Sequence, residues 1–194
     1  MFGYLEGELV GLTPTQTYLD VQGTGYEVQL TLHTFEAIRK QKSCRLYIHV
    51  QIREDAWTLY GFATEKEREA FRKLLSVSGV GAATARILLS AIPPEELAGI
   101  VFQGESKPLE KVKGIGAKTA QRIILELKGK LPRNDGEELI RDTHNTTEQD
   151  ALNALLGLGI GKGMAESALK KTKDQFPAGE LTVEDWVKAA LKNL

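Results

Sequence analysis

The first 63 residues alternate between apolar and polar positions with a period of two, the spacing of half-buried β-strands. The alternation falls into five short runs separated by turns, at residues 4–10, 17–21, 26–32, 46–52 and 57–62. Two glycines, Gly23 and Gly25, frame the second of these turns. Five short strands joined by tight turns are typical of a small barrel. We therefore expect residues 1–63 to form an OB-fold β-barrel.

The apolar spacing then changes from that of strands to that of helices. Thr64 and Glu67 have the spacing of a capping box, and the helix that they open is expected to end near Leu75. Further helices alternate with glycine-containing turns. Residues 64–132 are therefore predicted to form an all-helical domain.

A polar stretch separates this domain from the C-terminal part of the chain. Residues 133–147 contain two strongly apolar side chains, Leu139 and Ile140, which are too few to bury a core, so we expect a flexible linker. Beyond the linker, apolar positions recur with helical spacing in three stretches, 149–158, 163–176 and 183–194. Residues 148–194 are therefore predicted to form a UBA-like three-helix bundle, and the whole chain a multidomain α+β protein.

A nine-residue sequence occurs twice in the helical region. Val77 to Ala85 is VSGVGAATA and, 35 positions later, Val112 to Ala120 is VKGIGAKTA, with six identical positions. In each copy a Gly-apolar-Gly turn precedes an Ala-rich run, which predicts two helix-hairpin-helix motifs. Glycine allows positive φ angles, and a helix start offers unpaired N–H groups with partial positive charge. Each copy is therefore a predicted anion site, and the pair favours nucleic-acid phosphate.

The distribution of charge supports this interpretation. The net charge is only −1, but residues 64–132 carry 12 basic and 8 acidic side chains, an excess of four positive charges around the hairpins. A local positive field attracts a polyanion whatever the total charge of the chain. The candidate DNA ligands are Gly79, Val80, Gly81, Thr84 and Arg86 in the first copy, and Lys113, Gly114, Ile115, Gly116, Lys118, Thr119 and Arg122 in the second.

The two copies differ in their cations. Lys118 lies in the first helical turn of the second copy, and Arg122 lies one turn further on the same face. The first copy has Ala83 in place of Lys118, and its nearest cation is Arg86. We therefore expect the first hairpin to bind phosphate more weakly and to depend on its amides and on Thr84.

Two other functions fit part of this pattern. Gly-apolar-Gly hairpins can merely join helices, with Val80 and Ile115 in the core of a scaffold that contacts proteins or binds any duplex. Lys118 and Asp135 come within one residue of the spacing typical of a helix-hairpin-helix DNA glycosylase. Asp135 lies in the polar linker, however, where no buried pocket would tune its pKa. The duplicated motif and the local charge favour DNA binding without catalysis.

The sequence offers no evident cofactor or metal site. The three histidines, His33, His49 and His144, have no ligand spacing, and the single cysteine, Cys44, cannot form a disulfide within the chain. The glycine-rich stretch 157–163 lacks the spacing and the Ser or Thr of a phosphate loop.

The N-terminus lacks a basic and apolar leader, and no uncharged run approaches the length of a membrane span. We therefore expect a cytoplasmic protein that uses no membrane and no cofactor of its own.

Two carboxylates, Glu54 and Asp55, lie at the predicted turn between the last two strands, next to Arg53. Acidic residues are common in solvated turns, and the spacing alone favours that interpretation. On a protein that binds DNA, an acidic tip would also repel phosphates and hold strands apart.

Several of these motifs occur together in one known family. The chain resembles, over its whole length, the RuvA family of bacterial Holliday-junction-recognition subunits. The resemblance is carried by the segment from Arg53 to Phe62 (REDAWTLYGF), by the two hairpins, and by the tethered bundle with its turn from Gly157 to Ile160 (GLGI). The resemblance implies an OB-fold domain for tetramer assembly, hairpins on the duplex arms, and a mobile third domain that contacts the RuvB motor. It also implies that ATP is used by that motor, that assembly reaches either a tetramer or an octamer, and that a RuvC resolvase is a further candidate partner.

The resemblance assigns roles to particular residues. Glu54 and Asp55 match the acidic pin of the family, which makes Arg53 a contact at the junction centre. Leu158 and Ile160 fall where the third domain is expected to dock on the motor, although periodicity alone assigns them to the core of the bundle. Ile160 also stands where a larger residue is expected.

Overall fold

The computed structural model describes residues 2–131, 143–176 and 181–194, with the backbone but not the side chains of 143–146, 174 and 175. The chain divides into two compact units, Met1–Asn134 and Asp135–Leu194. The barrel and the helical region that carries the hairpins both belong to the first unit, and the C-terminal bundle forms the second.

Five strands form the expected barrel. They are β1 (Tyr4–Val10), β2 (Gln16–Val21), β3 (Thr24–Leu30), β4 (Ser43–Ile52) and β5 (Trp57–Phe62). The barrel closes in the order β1-β2-β3-β5-β4, with a parallel pair between β3 and β5 and antiparallel pairs elsewhere. Leu19, Val28, Leu46 and Ile48 point inward and have no exposed surface. The period-two pattern therefore identifies the inward face of the barrel.

The structure contains one helix that the alternation does not predict. β3 ends at Leu30 and α1 (Leu32–Ile38) follows, so the strand expected through residue 32 is too long. Thr31 caps the helix, since its hydroxyl accepts the N–H of Thr34 at 3.0 Å. The period-two pattern continues through Leu30 and Leu32, and it conceals the start of a helix of only about two turns.

Five further helices follow the barrel within the described part of the first unit. They are α2 (Glu65–Leu75), α3 (Ala82–Ala91), α4 (Pro94–Gln103), α5 (Lys107–Glu110) and α6 (Ala117–Leu127). Phe71 of α2 is fully buried and packs on Tyr60 and Phe62 of β5, with ring centroids 5.0 and 4.9 Å apart. These aromatic contacts hold the barrel against the helices that carry the hairpins.

A buried carboxylate also joins the barrel to the helices. Glu67 has no exposed surface, and it accepts hydrogen bonds from the hydroxyls of Thr31 at 2.5 Å and Thr34 at 2.7 Å. Burial raises the pKa of Glu67, although these hydroxyl donors oppose the shift. The expected capping box is therefore only half formed. The Thr64 hydroxyl accepts the N–H of Glu67 at 3.2 Å, whereas the Glu67 side chain turns to the barrel.

The second unit is a three-helix bundle, as predicted. Its described helices are α7 (Thr143–Gly157), α8 (Lys162–Gln175) and α9 (Val183–Lys192). Its core includes the buried side chains of Ala151, Leu155, Ala165, Leu169 and Trp186. Because α7 begins at Thr143, residues 143–147 of the expected linker are helical. The remainder of the expected linker, residues 133–142, lies outside the described residues.

Candidate nucleic-acid interface

The two hairpins have the same backbone geometry. Gly79 and Gly114 have φ angles of +88° and +92°, in the left-handed region that favours glycine. Gly81, two residues after the first of these, has φ −89° and ψ 170°, and Gly116 has φ −88° and ψ 169°. The sequence repeat is therefore a structural repeat, and the first glycine of each copy is required by the conformation of the turn.

The residue between the glycines lies in the core in both copies. Val80 and Ile115 are each 5% exposed, and their N–H groups donate to the carbonyl oxygens of Val77 and Val112 at 3.0 Å. The side chains and amides of both residues are therefore occupied inside the hairpins. These two predicted DNA ligands fix the turns, and within each Gly-apolar-Gly turn the exposed residues are the two glycines.

Each hairpin leads into a helix whose first N–H groups are uncapped. Gly81 and Gly116 are the N-caps of α3 and α6, and neither forms a side-chain capping bond. The first N–H groups of a helix have no acceptor within the helix and carry partial positive charge. Both glycines are exposed, and the space where their side chains would lie is open. The fold therefore presents two accessible helix starts that can bind an anion.

The second hairpin carries two of the expected cations at its surface. Lys113 and Lys118 are exposed, and neither forms an ion pair with another described residue. Lys118 lies in the first turn of α6, and Lys113 immediately precedes Gly114. Thr84 and Thr119, at equivalent positions of the two copies, are half-buried and offer less surface to a ligand.

Arg122 contacts the first hairpin, although its spacing from Lys118 assigns it to the second. Its Nη1 donates to the carbonyl oxygen of Ser78 at 2.9 Å and to the Ser78 hydroxyl at 3.2 Å. Ser78 immediately precedes Gly79, so the second copy supplies a positive charge to the first. The guanidinium of Arg122 therefore supplies a positive charge to the first hairpin, which has Ala83 where the second copy has a lysine. The sequence gives no signal for Ser78, because a serine in a turn does not indicate a partner 44 residues away.

The side chain of Arg86 contacts the barrel region, and its contact with DNA stays a prediction. Its half-buried side chain donates from Nη1 to Gln29 Oε1 at 2.6 Å and to the carbonyl oxygen of Thr15 at 3.5 Å. Both acceptors belong to the barrel region. Arg86 therefore joins α3 to the barrel, and Arg122 is the arginine that contacts the first hairpin.

The acidic residues lie at the tip of the β4–β5 hairpin, as the sequence predicts. Glu54 and Asp55 are exposed, and the N–H of the exposed Arg53 donates to the carbonyl oxygen of Ala56 at 2.9 Å across the turn. The structure therefore presents two negative side chains and one positive side chain to solvent at the end of a hairpin.

The two residues expected to contact a partner lie in the turn between α7 and α8. Leu158 is 63% exposed, whereas Ile160 is half-buried and packs against the core of the bundle. Leu158 is therefore the accessible member of the pair, and Ile160 mainly supports the bundle.

Other candidate chemistry has little support in the described part of the chain. Among those residues, no group of three or more His, Cys, Asp or Glu side chains is placed to hold a metal ion. Burial, together with the charge of Glu6, raises the pKa of Cys44 to about 11, so its thiol is a poor nucleophile at neutral pH. Asp135, the partner of Lys118 in the glycosylase alternative, lies outside the described residues. None of the described helices combines the length and the apolar character needed to cross a bilayer.

Ala83→Lys is expected to strengthen DNA binding. Ala83 is exposed in the first turn of α3, at the position of Lys118 in α6, so a lysine there adds a phosphate contact without removing a core contact. The slope of log K against log salt should steepen by about 0.9 for the added contact in each chain. Anisotropy titrations of a labelled DNA at several salt concentrations measure this slope, and an unchanged slope would contradict the prediction.

Comparison with known proteins identifies all three regions. The family model of the RuvA N-terminal domain matches residues 1–61, the SAM-like helix-hairpin-helix tandem matches 71–130, and the RuvA C-terminal domain matches 147–194. Similar curated proteins include the "Holliday junction branch migration complex subunit RuvA" of Christiangramia forsetii, at 42% identity, and its namesakes in Flavobacterium psychrophilum, at 40%, and Porphyromonas gingivalis, at 41%. Each comparison covers 100% of this chain and 100% of the relative. The chain therefore belongs to the RuvA family.

Proposed function

We propose that this protein recognises four-way DNA junctions and is the DNA-binding subunit of a branch-migration complex. The observation that carries the proposal is the pair of hairpins. They provide two uncapped helix starts of matching geometry in one unit, with Lys113, Lys118 and Arg122 around them. Such sites hold phosphates without distinguishing bases. The names of the full-length relatives support the same function.

Selectivity for a junction requires more than phosphate binding, because phosphate contacts favour any duplex. The acidic tip supplies the second element. Glu54 and Asp55 repel phosphates at close range, so a continuous duplex is disfavoured there, whereas a junction opened to a square leaves a gap between its arms. The hairpins hold the arms, the tip excludes backbone from the centre, and Arg53 contacts the nearest phosphates.

The proposed assembly and partners follow from the family. Four subunits around a fourfold axis would offer eight hairpins to four arms, and a second tetramer would enclose the junction as an octamer. Exchange of base pairs is energetically neutral, since one base pair forms for each one that opens, so directed movement needs an external motor. The exposed Leu158 is the proposed contact for the RuvB ATPase, which uses the ATP, and a RuvC resolvase is a further candidate partner.

The protein itself is proposed to be non-catalytic, cytoplasmic and without a cofactor. The glycosylase alternative has less support, because Lys118 is exposed beside a helix start and such enzymes hold a flipped base in a pocket. Schiff-base trapping on a damaged duplex would distinguish the two functions, since a non-catalytic binder forms no covalent adduct.

In a competition gel shift at physiological salt with magnesium, we expect the protein to prefer an immobile four-way junction over linear duplex of equal phosphate content. Backbone attraction alone favours neither DNA strongly. A preference of at least about tenfold, which corresponds to about 1.4 kcal/mol, would support the proposed function. Equal binding would indicate a generic duplex binder. A failure to bind either DNA would indicate that the hairpins only join helices in a scaffold.

A further inference from the structure

The β4–β5 hairpin extends beyond the barrel as a two-stranded ribbon. β4 pairs with β1 as far as Tyr47, and β5 pairs with β3 from Leu59 onward. Among the described residues, 51–52 and 57–58 therefore pair only with each other. The acidic tip lies at the end of this ribbon, so the ribbon carries its side chains away from the barrel core.

Two large apolar side chains are exposed on this ribbon. Ile52 and Trp57 are directly opposite one another in the register, so their side chains share one face. Ile52 is 65% exposed and Trp57 is 74% exposed. Two residues further back on each strand, Val50 and Leu59 share this face and pack against the barrel core. The inward-facing stripe of the barrel therefore continues past the end of its core and into solvent.

The neighbours of Trp57 define what can cover it. Glu54 and Asp55 are at most three residues away, which is within roughly 10 Å along the chain, and their charge repels phosphate. On the ribbon, these two apolar side chains alone supply far too little area for a specific protein interface, which buries about 1,000 Å² or more. A nucleobase fits both constraints, because its face is flat, uncharged and similar in size to an indole, and stacking on aromatic side chains tolerates any base.

We propose that Trp57, with Ile52 beside it, is a stacking platform for an unpaired nucleobase at the point of strand exchange. The inference rests on the proposed function, in which the acidic tip lies at the centre of an open junction. Base pairs next to the crossover open and re-form there. Stacking of an unpaired base on the indole stabilises the opened base pair, while Glu54 and Asp55 exclude the DNA backbone from the tip.

The tryptophan content of the chain allows a direct test. There are two tryptophans, and Trp186 lies in the buried core of the second unit. In a Trp186→Phe chain, Trp57 alone reports on the ribbon, and stacking on a base quenches indole emission. We expect strong quenching by a four-way junction, and little quenching by linear duplex or by the same junction with abasic sites at the crossover. Far-UV circular dichroism checks that the variant is folded.

Affinity in the otherwise native chain provides a second readout. Trp57→Ala should weaken junction binding about 5- to 150-fold, the effect of removing one stacked base, and should leave the affinity for linear duplex unchanged. Trp57→Phe should retain most of the junction affinity, because it keeps an aromatic face. Tyr18→Ala is the matched control, since Tyr18 is an exposed aromatic residue on β2 of the same barrel.

Four results would overturn the proposal. Equal quenching by the abasic junction would show that the indole contacts sugar or backbone. A second copy of the chain would be the occupant of Trp57 if three conditions hold together. The emission of the free protein is blue-shifted, it changes on dilution, and DNA does not affect it. If the native chain prefers junctions but no junction quenches the emission of the Trp186→Phe chain, the platform alone is excluded, whereas a native chain without junction preference would contradict the proposed function as well.

Discussion

Replacing both Lys118 and Arg122 with alanine will reduce junction affinity at least about 100-fold. Each side chain is expected to make a charge-assisted hydrogen bond to phosphate, worth about 1.5 to 3 kcal/mol, and about 1.4 kcal/mol corresponds to a factor of ten. The slope of log K against log salt should also fall by about 0.9 for each phosphate that the variant no longer binds. Anisotropy titrations of a labelled junction over a range of salt concentrations measure both quantities.

Lys128→Ala combined with Lys130→Ala is the matched control. Both lysines are exposed at the far end of α6, and Lys128 is about 15 Å along the helix axis from Lys118. The control therefore removes the same charge away from the hairpins and should reduce affinity only slightly. If its affinity falls as much as that of the hairpin variant, the net charge of the unit explains binding and the prediction is wrong.

The sequence predicts those parts of the interface whose chemistry is local. Gly79 and Gly114 have positive φ because the Gly-apolar-Gly turn requires a conformation that glycine adopts without strain. The tip at Glu54 and Asp55 is also local, since it is the break between two alternating runs. Amphipathic spacing likewise predicts the barrel, the tandem hairpins and the bundle.

Contacts between distant elements could not be predicted in this way. Helical spacing places Arg86 on one face of α3 and Arg122 on one face of α6, but packing decides what each face meets. Arg86 meets Gln29 of the barrel, and Arg122 meets Ser78 of the other hairpin. Glu67 shows the same limit, because the local capping rule assigns its carboxylate to the helix start while two hydroxyls of the barrel region bind it.

Replacing Glu54 with Gln and Asp55 with Asn will lower the preference for junctions over linear duplex. The amides keep the size of both side chains and remove the two charges, so duplex phosphates no longer meet repulsion at the tip. A unit charge about 4 Å from a phosphate contributes about 1 kcal/mol in water, so duplex affinity should rise about tenfold or more. Junction affinity should rise less, because an open junction keeps its backbone away from the tip. The competition gel shift measures the ratio.

Glu95→Gln combined with Glu96→Gln is the control for this variant, because it removes the same charge from exposed positions in the first turn of α4. An equal decrease of preference in both variants would attribute the effect to net charge and contradict the role of the tip.

The hairpins attract phosphate and the tip repels it, so affinity and selectivity depend on separate elements. The alanine variant at Lys118 and Arg122 should therefore weaken binding to both DNAs, whereas the amide variant should change their ratio.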